Sequence, residues 1–250
     1  MPGGFMLSFK VKCFYIQIVQ SKRKQAENRE ANTMQLQGKK IHFLGDSITE
    51  GVGASSSGTC YVAQVAERSG AVCRNYGISG TRIARQTHPS DPASFDLDFC
   101  MRVDGMDPDA DVVVVFGGTN DYGHGDAPFG VPSDRTPDTF YGALHTLYTA
   151  LICRYPQSKI VVLTPLHRCG EEISVEKRPG VELRPLKQYV EAIREAAEYY
   201  SLPVLDLFAV SGLQPNVPVI RERYLPDGLH PNDAGHARLA ELIVRFLQQL

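Results

Sequence analysis

No stretch of the 250-residue chain approaches 18 consecutive apolar residues, so nothing in it reads as a membrane-spanning helix. Charge of one sign is not in excess either. The 26 basic and 28 acidic residues leave a formal net charge of -2, which argues against nucleic acid as a partner, because that usually requires a strongly basic face. The most basic stretch, Lys22-Arg23-Lys24, is short. The six cysteines, Cys13, Cys60, Cys73, Cys100, Cys153 and Cys169, contain no C-x-x-C pair. That excludes zinc-type spacing and the dense disulfide framework of a small secreted domain. No Asn-x-Ser/Thr acceptor occurs, and there is no internal repeat or low-complexity segment. A reducing, cytoplasmic location is the expectation.

What remains is ordinary globular material, 43% hydrophobic and 22% charged. Residues 1–39 stand apart. Phe5 to Val19 is apolar-rich, but Lys10 and Lys12 interrupt it, and the following SKRKQAENREANT offers no small-residue cleavage site. Residues 1–39 are therefore expected to be a dispensable, poorly ordered extension, and residues 40–250 one domain.

Within 40–250, short apolar runs alternate with segments of helical spacing. Strands are expected at Ile41–Leu44, Ala71–Asn75, Asp111–Phe116, Lys159–Thr164 and Pro203–Leu207. Helices are expected at Thr59–Ser69, Phe95–Val103, Asp138–Tyr155, Leu183–Tyr200 and Asn232–Leu250, the last with Asn232 as its N-cap. Five β-runs separated by helices predict an α/β fold: three α/β/α layers around a central, mostly parallel five-stranded sheet. Ligands in such folds bind outside the carboxyl ends of the strands.

Those ends carry the chemistry. The first β-run closes in Gly45-Asp46-Ser47-Ile48-Thr49, the second in Asn75-Tyr76-Gly77-Ile78-Ser79-Gly80, the third in Gly117-Gly118-Thr119-Asn120-Asp121. Asp227-Gly228-Leu229-His230-Pro231 precedes the final helix. A serine hydroxyl is a weak nucleophile and needs a neighbouring base. His230 can take the Ser47 proton, and Asp227 can curl back to hold the imidazole in one tautomer. The Ser47 and Gly80 backbone N–H groups and the Asn120 amide can donate to a tetrahedral oxyanion.

These segments resemble the GDSL esterases and lipases, also called SGNH hydrolases. The blocks in question are IHFLGDSITEG, with Ile48 where Leu is usual, then NYGISG, GGTND and DGLHP. The resemblance spans roughly residues 40–250. It implies a flavodoxin-like three-layer fold, a Ser47–His230–Asp227 triad, an oxyanion hole from Ser47, Gly80 and Asn120, and no cofactor. Gly77 competes with Gly80 for the second-block role, and Gly80 is preferred because it ends the N-x-x-x-S-G pattern.

Other patterns fail. Gly51-x-Gly53 lacks the third glycine of a dinucleotide fingerprint, since position 56 is serine. Asp227, His230, Asp233 and His236 could be imagined around a metal, but the histidines lie six apart across a helix start. No metal is expected, and His236 is expected on the helix surface. Asp46 is expected to bond nearby turn N–H groups. Two loops, Asp121–Thr136 and Pro165–Val181, should wall the pocket, with His124 and His167 as candidate substrate contacts. Their scattered large apolar residues, Phe129, Val131, Leu166, Ile173 and Val175, favour a small-molecule ester with a short acyl group on a sugar or small alcohol. A lysophospholipase or thioesterase is the alternative within the enzyme class. A non-catalytic carbohydrate- or nucleotide-binding domain is the alternative outside it.

Overall fold

The β-branched run of Val112–Val115 is buried along its whole length, as the middle strand of a parallel sheet must be. The structure, a computed structural model, describes residues 34–172 and 184–250. The expectations for residues 1–33, and for Ile173, Val175 and the rest of 173–183, lie outside the described residues.

The strands are β1 (Lys40–Gly45), β2 (Val72–Gly77), β3 (Val112–Phe116), β4 (Lys159–Leu163) and β5 (Val204–Leu205). They lie in the order β2-β1-β3-β4-β5, and every pair is parallel. Alternate side chains of β3 face opposite layers. Val113 and Val115 pack with Leu144 and Leu147 of α5 (Phe140–Arg154) and Val190 and Ile193 of α6 (Leu186–Tyr199). Val112, Val114 and Phe116 pack with Val62 and Val65 of α2 (Tyr61–Ser69) and Leu239 and Ile243 of α9 (Asp233–Gln248). Helices thus cover both faces in three layers.

Local chemistry sets the element ends. Thr139 Oγ1 accepts from the Gly142 N–H and starts α5. Asn232 caps α9 by accepting from the Gly235 N–H at 3.1 Å. The single helix expected over Phe95–Val103 is instead broken. Asp98 takes the Met101 N–H and starts a new short helix, α3 (Phe99–Arg102), between 3-10 turns at Ala93–Asp96 and Val103–Gly105. The strand expected to reach Leu207 stops at Leu205, because Asp206 caps α7 (Leu207–Val210) through the Ala209 N–H. A further helix, α8 (Pro218–Tyr224), precedes the Asp227 segment. At the near end Leu36 is buried, and the Met34 N–H donates to the Gln248 carbonyl.

Because β1 lies between β2 and β3, the winding reverses there. The chain leaving β1 goes to one face of the sheet and the chain leaving β3 to the other, which opens a crevice beyond their carboxyl ends.

Candidate active site

Strand β1 runs almost directly into α1 (Ser47–Glu50), so Ser47 opens a helix at the mouth of the crevice. Asp46 makes the turn possible: its carboxylate accepts from the Ile48 N–H at 3.0 Å. That carboxylate is fully inside the protein, and burial pushes its pKa up to about 7.

Asp227 folds back on its own loop. Oδ1 accepts the Leu229 and His230 N–H groups at 2.8 and 2.7 Å, and Oδ2 faces His230 Nδ1 at 2.7 Å. Partial burial pushes the Asp227 carboxyl up, but the His230 ring and the two backbone donors outweigh it and hold the pKa below the usual carboxylate value. An Nδ1 proton directed at Asp227 leaves Nε2 as an acceptor. Nε2 lies 3.0 Å from Ser47 Oγ.

Two more donors line the same cleft of about 340 Å³. Gly80 has φ +74°, and a Cβ there would fall 2.1 Å from the Phe95 ring. Gly77 serves another purpose. A Cβ on it would meet the Glu50 backbone nitrogen at 2.1 Å, so its bareness lets β2 pack against α1, and it does not line the cleft. Asn120 opens the first turn of α4 (Thr119–His124) and donates one amide proton to the Thr81 carbonyl at 3.0 Å, leaving a second proton. The neighbouring Asp121 carboxylate accepts the Ile83 and Ala84 N–H groups, each at 2.9 Å, and burial pushes its pKa up to about 6. Two larger hollows, about 630 and 470 Å³, contain none of these groups.

The sequence profile of the GDSL-like lipase/acylhydrolase family matches residues 43–238. The chain belongs to that family. This GDSL-like protein is a carboxylic ester hydrolase. Among solved structures it resembles a protein from Lactobacillus plantarum, with 30% identity, TM-score 0.71, and coverage of 84% of this chain and 97% of that one. It also resembles a possible lipase from Chitinophaga pinensis, with 21% identity, TM-score 0.61, and coverage of 84% and 98%. A two-domain esterase active on acetylated mannans shares 21% identity and a TM-score of 0.53, over 90% of this chain and 51% of that one. No curated protein matches it.

The remaining residues of the GDSL-like site divide by location. His124 lines the cleft, with Phe95 at 5.4 Å between ring centroids and Arg82 Nη1 at 3.3 Å. His167 does not. Its ring packs on Phe208 at 3.7 Å, and Nδ1 pairs with Glu171 at 2.8 Å. The next residue, Arg168, lines the cleft instead.

His236 is not a surface residue: it is 0% exposed. Nδ1 accepts from the Tyr61 N–H that opens α2, and Nε2 faces the Val52 carbonyl at 3.3 Å, so the ring ties α9 to α2 and to the cleft wall. Burial lowers its pKa, favouring the neutral ring that these two contacts need. Asp233 is occupied by the Ser55 backbone N–H and hydroxyl. Asp227 and His230 thus bond each other, while Asp233 and His236 bond to other groups, and among the described residues no group of three or more His, Cys, Asp or Glu is placed to hold a metal.

Two arginines, the buried Arg82 and the half-buried Arg102, brace the site without any sequence motif. Arg102 donates to Thr81 Oγ1, to the Gly45 carbonyl and to the Tyr76 carbonyl, tying the ends of β1 and β2; burial lowers its pKa to about 10. Arg82 donates to the Gly80 carbonyl and to Ser90, and pairs with Asp96 at 3.2 Å.

Proposed function

We propose that this hydrolase cleaves a short-acyl carboxylic ester, an acetyl ester of a sugar or small alcohol, through an acyl-enzyme. The observation that carries the reading is the chain from Ser47 Oγ to His230 Nε2 at 3.0 Å and from His230 Nδ1 to Asp227 at 2.7 Å. Ser47 Oγ attacks the carbonyl carbon while His230 Nε2 takes its proton. Asp227 orients the ring and stabilises the imidazolium. The oxyanion receives the Ser47 and Gly80 N–H groups and the second Asn120 amide proton. Collapse returns the His230 proton to the leaving alkoxide, and water repeats the cycle on the acyl-serine. No cofactor enters these steps.

The short acyl group is supported by the cleft itself. About 340 Å³ is small, and Val52, Phe95 and Leu229 are its large apolar wall residues. A long chain gains about 0.8 kcal/mol per methylene only where apolar surface receives it. An esterase of the same fold acts on acetylated mannans, which is the substrate class proposed here. The described cysteines are unpaired thiols, in keeping with a cytoplasmic location. No helix among the described residues is long and apolar enough to cross a membrane.

The test is kcat/KM for aryl esters of two to twelve carbons. A maximum at two to four supports the reading. A maximum at eight or above overturns it in favour of the lysophospholipase or thioesterase alternative.

A further inference from the structure

Among the residues lining the cleft beside Ser47 there is an arginine and no carboxylate: Val52, Ser79, Phe95 and Leu229 are uncharged, and Arg168 is the one permanent cation. Its polar partners differ from those of Arg82, Arg194 and Arg102. Arg82 has Asp96 at 3.2 Å, and Arg194 has Asp206 at 2.6 Å. Arg102 is saturated by two strand-end carbonyls and a hydroxyl. Arg168 uses only Nη1, which donates to the Thr119 carbonyl at 3.1 Å and hydroxyl at 3.2 Å, and its plane lies over the Tyr122 ring at 5.5 Å. The nearby Glu171 carboxylate is taken by the Arg168 backbone N–H, His167 and Gln214. No described carboxylate comes within ion-pair distance of the Arg168 guanidinium. Nε is buried without a partner, and Nη2 makes no hydrogen bond among the described residues. Burial lowers the pKa of the group. Asp46 and Asp227 act on it only at longer range.

A half-buried guanidinium with spare donors, held rigid by Thr119 and Tyr122, is a preformed receptor for a planar anion. We propose that the ester substrate carries a carboxylate, and that Arg168 binds it beside the reacting carbonyl. This rests on the esterase reading above: with an acetyl group the alcohol part is the acid, and an acid on the acyl side would put a short dicarboxylic acyl group in place of acetyl. A carboxylate is favoured over a lipid headgroup, because the cleft of about 340 Å³ has only Val52, Phe95 and Leu229 as large apolar walls for acyl chains and offers one permanent cation for one small anion.

The experiment compares matched pairs. 3-Acetoxybenzoate and its methyl ester place the carboxylate on the alcohol side. 4-Nitrophenyl hemisuccinate and 4-nitrophenyl butyrate place it on the acyl side. The wild-type enzyme is expected to favour the anionic member of at least one pair by roughly 10–100-fold in kcat/KM, the worth of a charge-assisted hydrogen bond. Which pair responds tells the two sources apart. Arg168→Gln, which keeps an amide for Thr119, should collapse that ratio, and Arg168→Lys should restore part of it. Added salt should shrink the wild-type ratio and leave the Gln variant's ratio flat, which a purely structural arginine would not produce. No anionic preference in either pair, or one that persists in Arg168→Gln, overturns the proposal. If no ester is cleaved at all, the esterase reading fails. Calorimetric binding of 3-hydroxybenzoate and succinate, to wild type and to Arg168→Gln, then decides the carboxylate site separately. Binding of either that the substitution weakens upholds the site, and binding of neither, or unweakened binding, overturns it.

Discussion

Asn120 donates its side-chain amide to the carbonyl of Thr81 at 3.0 Å, so a residue just past β3 holds the loop that leaves β2. The bond fixes the amide plane before any substrate arrives, and pre-orientation of this kind is what makes an oxyanion donor effective. Asn120→Ala is expected to lower kcat by roughly 10²–10³. It is expected to cost only about 1 kcal/mol of stability through the lost Thr81 bond. Steady-state kinetics decide the role: an unchanged kcat with a raised KM would make Asn120 a ground-state binder.

Ser47 is expected to be the residue that a serine-reactive phosphonate labels, and Ser47→Ala to remove nearly all esterase activity. Ser79 is the rival, since it lines the same cleft, but its hydroxyl hydrogen-bonds to the Glu50 carboxylate and, among the described residues, to no histidine. Peptide mapping by mass spectrometry reads the outcome, and an adduct on Ser79 would refute the assignment.

Asp46 gives a pH dependence of definite sign. Its carboxyl ionises near 3.8 in an unfolded chain and is raised to about 7 in the fold by burial. Between those values the folded protein binds more protons than the unfolded one, so stability falls as pH rises through that window. Asp46→Asn keeps an acceptor for the Ile48 N–H and is expected to flatten the slope. Urea midpoints from pH 4 to 8 for both proteins test this. Equal slopes would assign the dependence to another group, such as Asp121, which burial raises to about 6.

Removal of residues 1–33 is expected to leave folding and activity unchanged, whereas removal through Lys39 is expected to destabilise. The second cut deletes Leu36, which is buried against the layer of α2 and α9, and burying one such side chain is worth about 1.5–3 kcal/mol. Thermal melts of the two truncations should differ by several degrees. Equal melting temperatures would show that Leu36 contributes nothing.

The sheet was legible because its central strands are buried on both faces and so read as unbroken apolar runs, Val112–Phe116 and Ile160–Leu163 foremost. The site segments were legible because short polar stretches with glycine close those runs. The bracing arginines were not. An arginine on a helix looks the same whether it meets water or a strand end, and Arg102 lies 57 residues from the Gly45 carbonyl it caps. Arg168 likewise lies 49 residues from Thr119. His236 is buried for a different reason. It lies three residues before Leu239 and seven before Ile243, on the apolar stripe of α9, so its helical spacing and not its polarity decides its place. The break at Asp98 turned on a single side-chain cap, which competes locally with helix continuation and leaves no trace in hydrophobic spacing.

Ser47 and His230 are 183 residues apart in the chain and 3.0 Å apart in the fold. On the proposed assignment, the nucleophile is synthesised early and remains an ordinary alcohol until nearly the last segment arrives. Its reactivity switches on only when α9 docks against α2 through His236 and Tyr61, delivering the imidazole beside it. A ribosome-bound or half-folded chain would therefore pass through a cell full of esters without cleaving any, and turnover itself reports that assembly is complete.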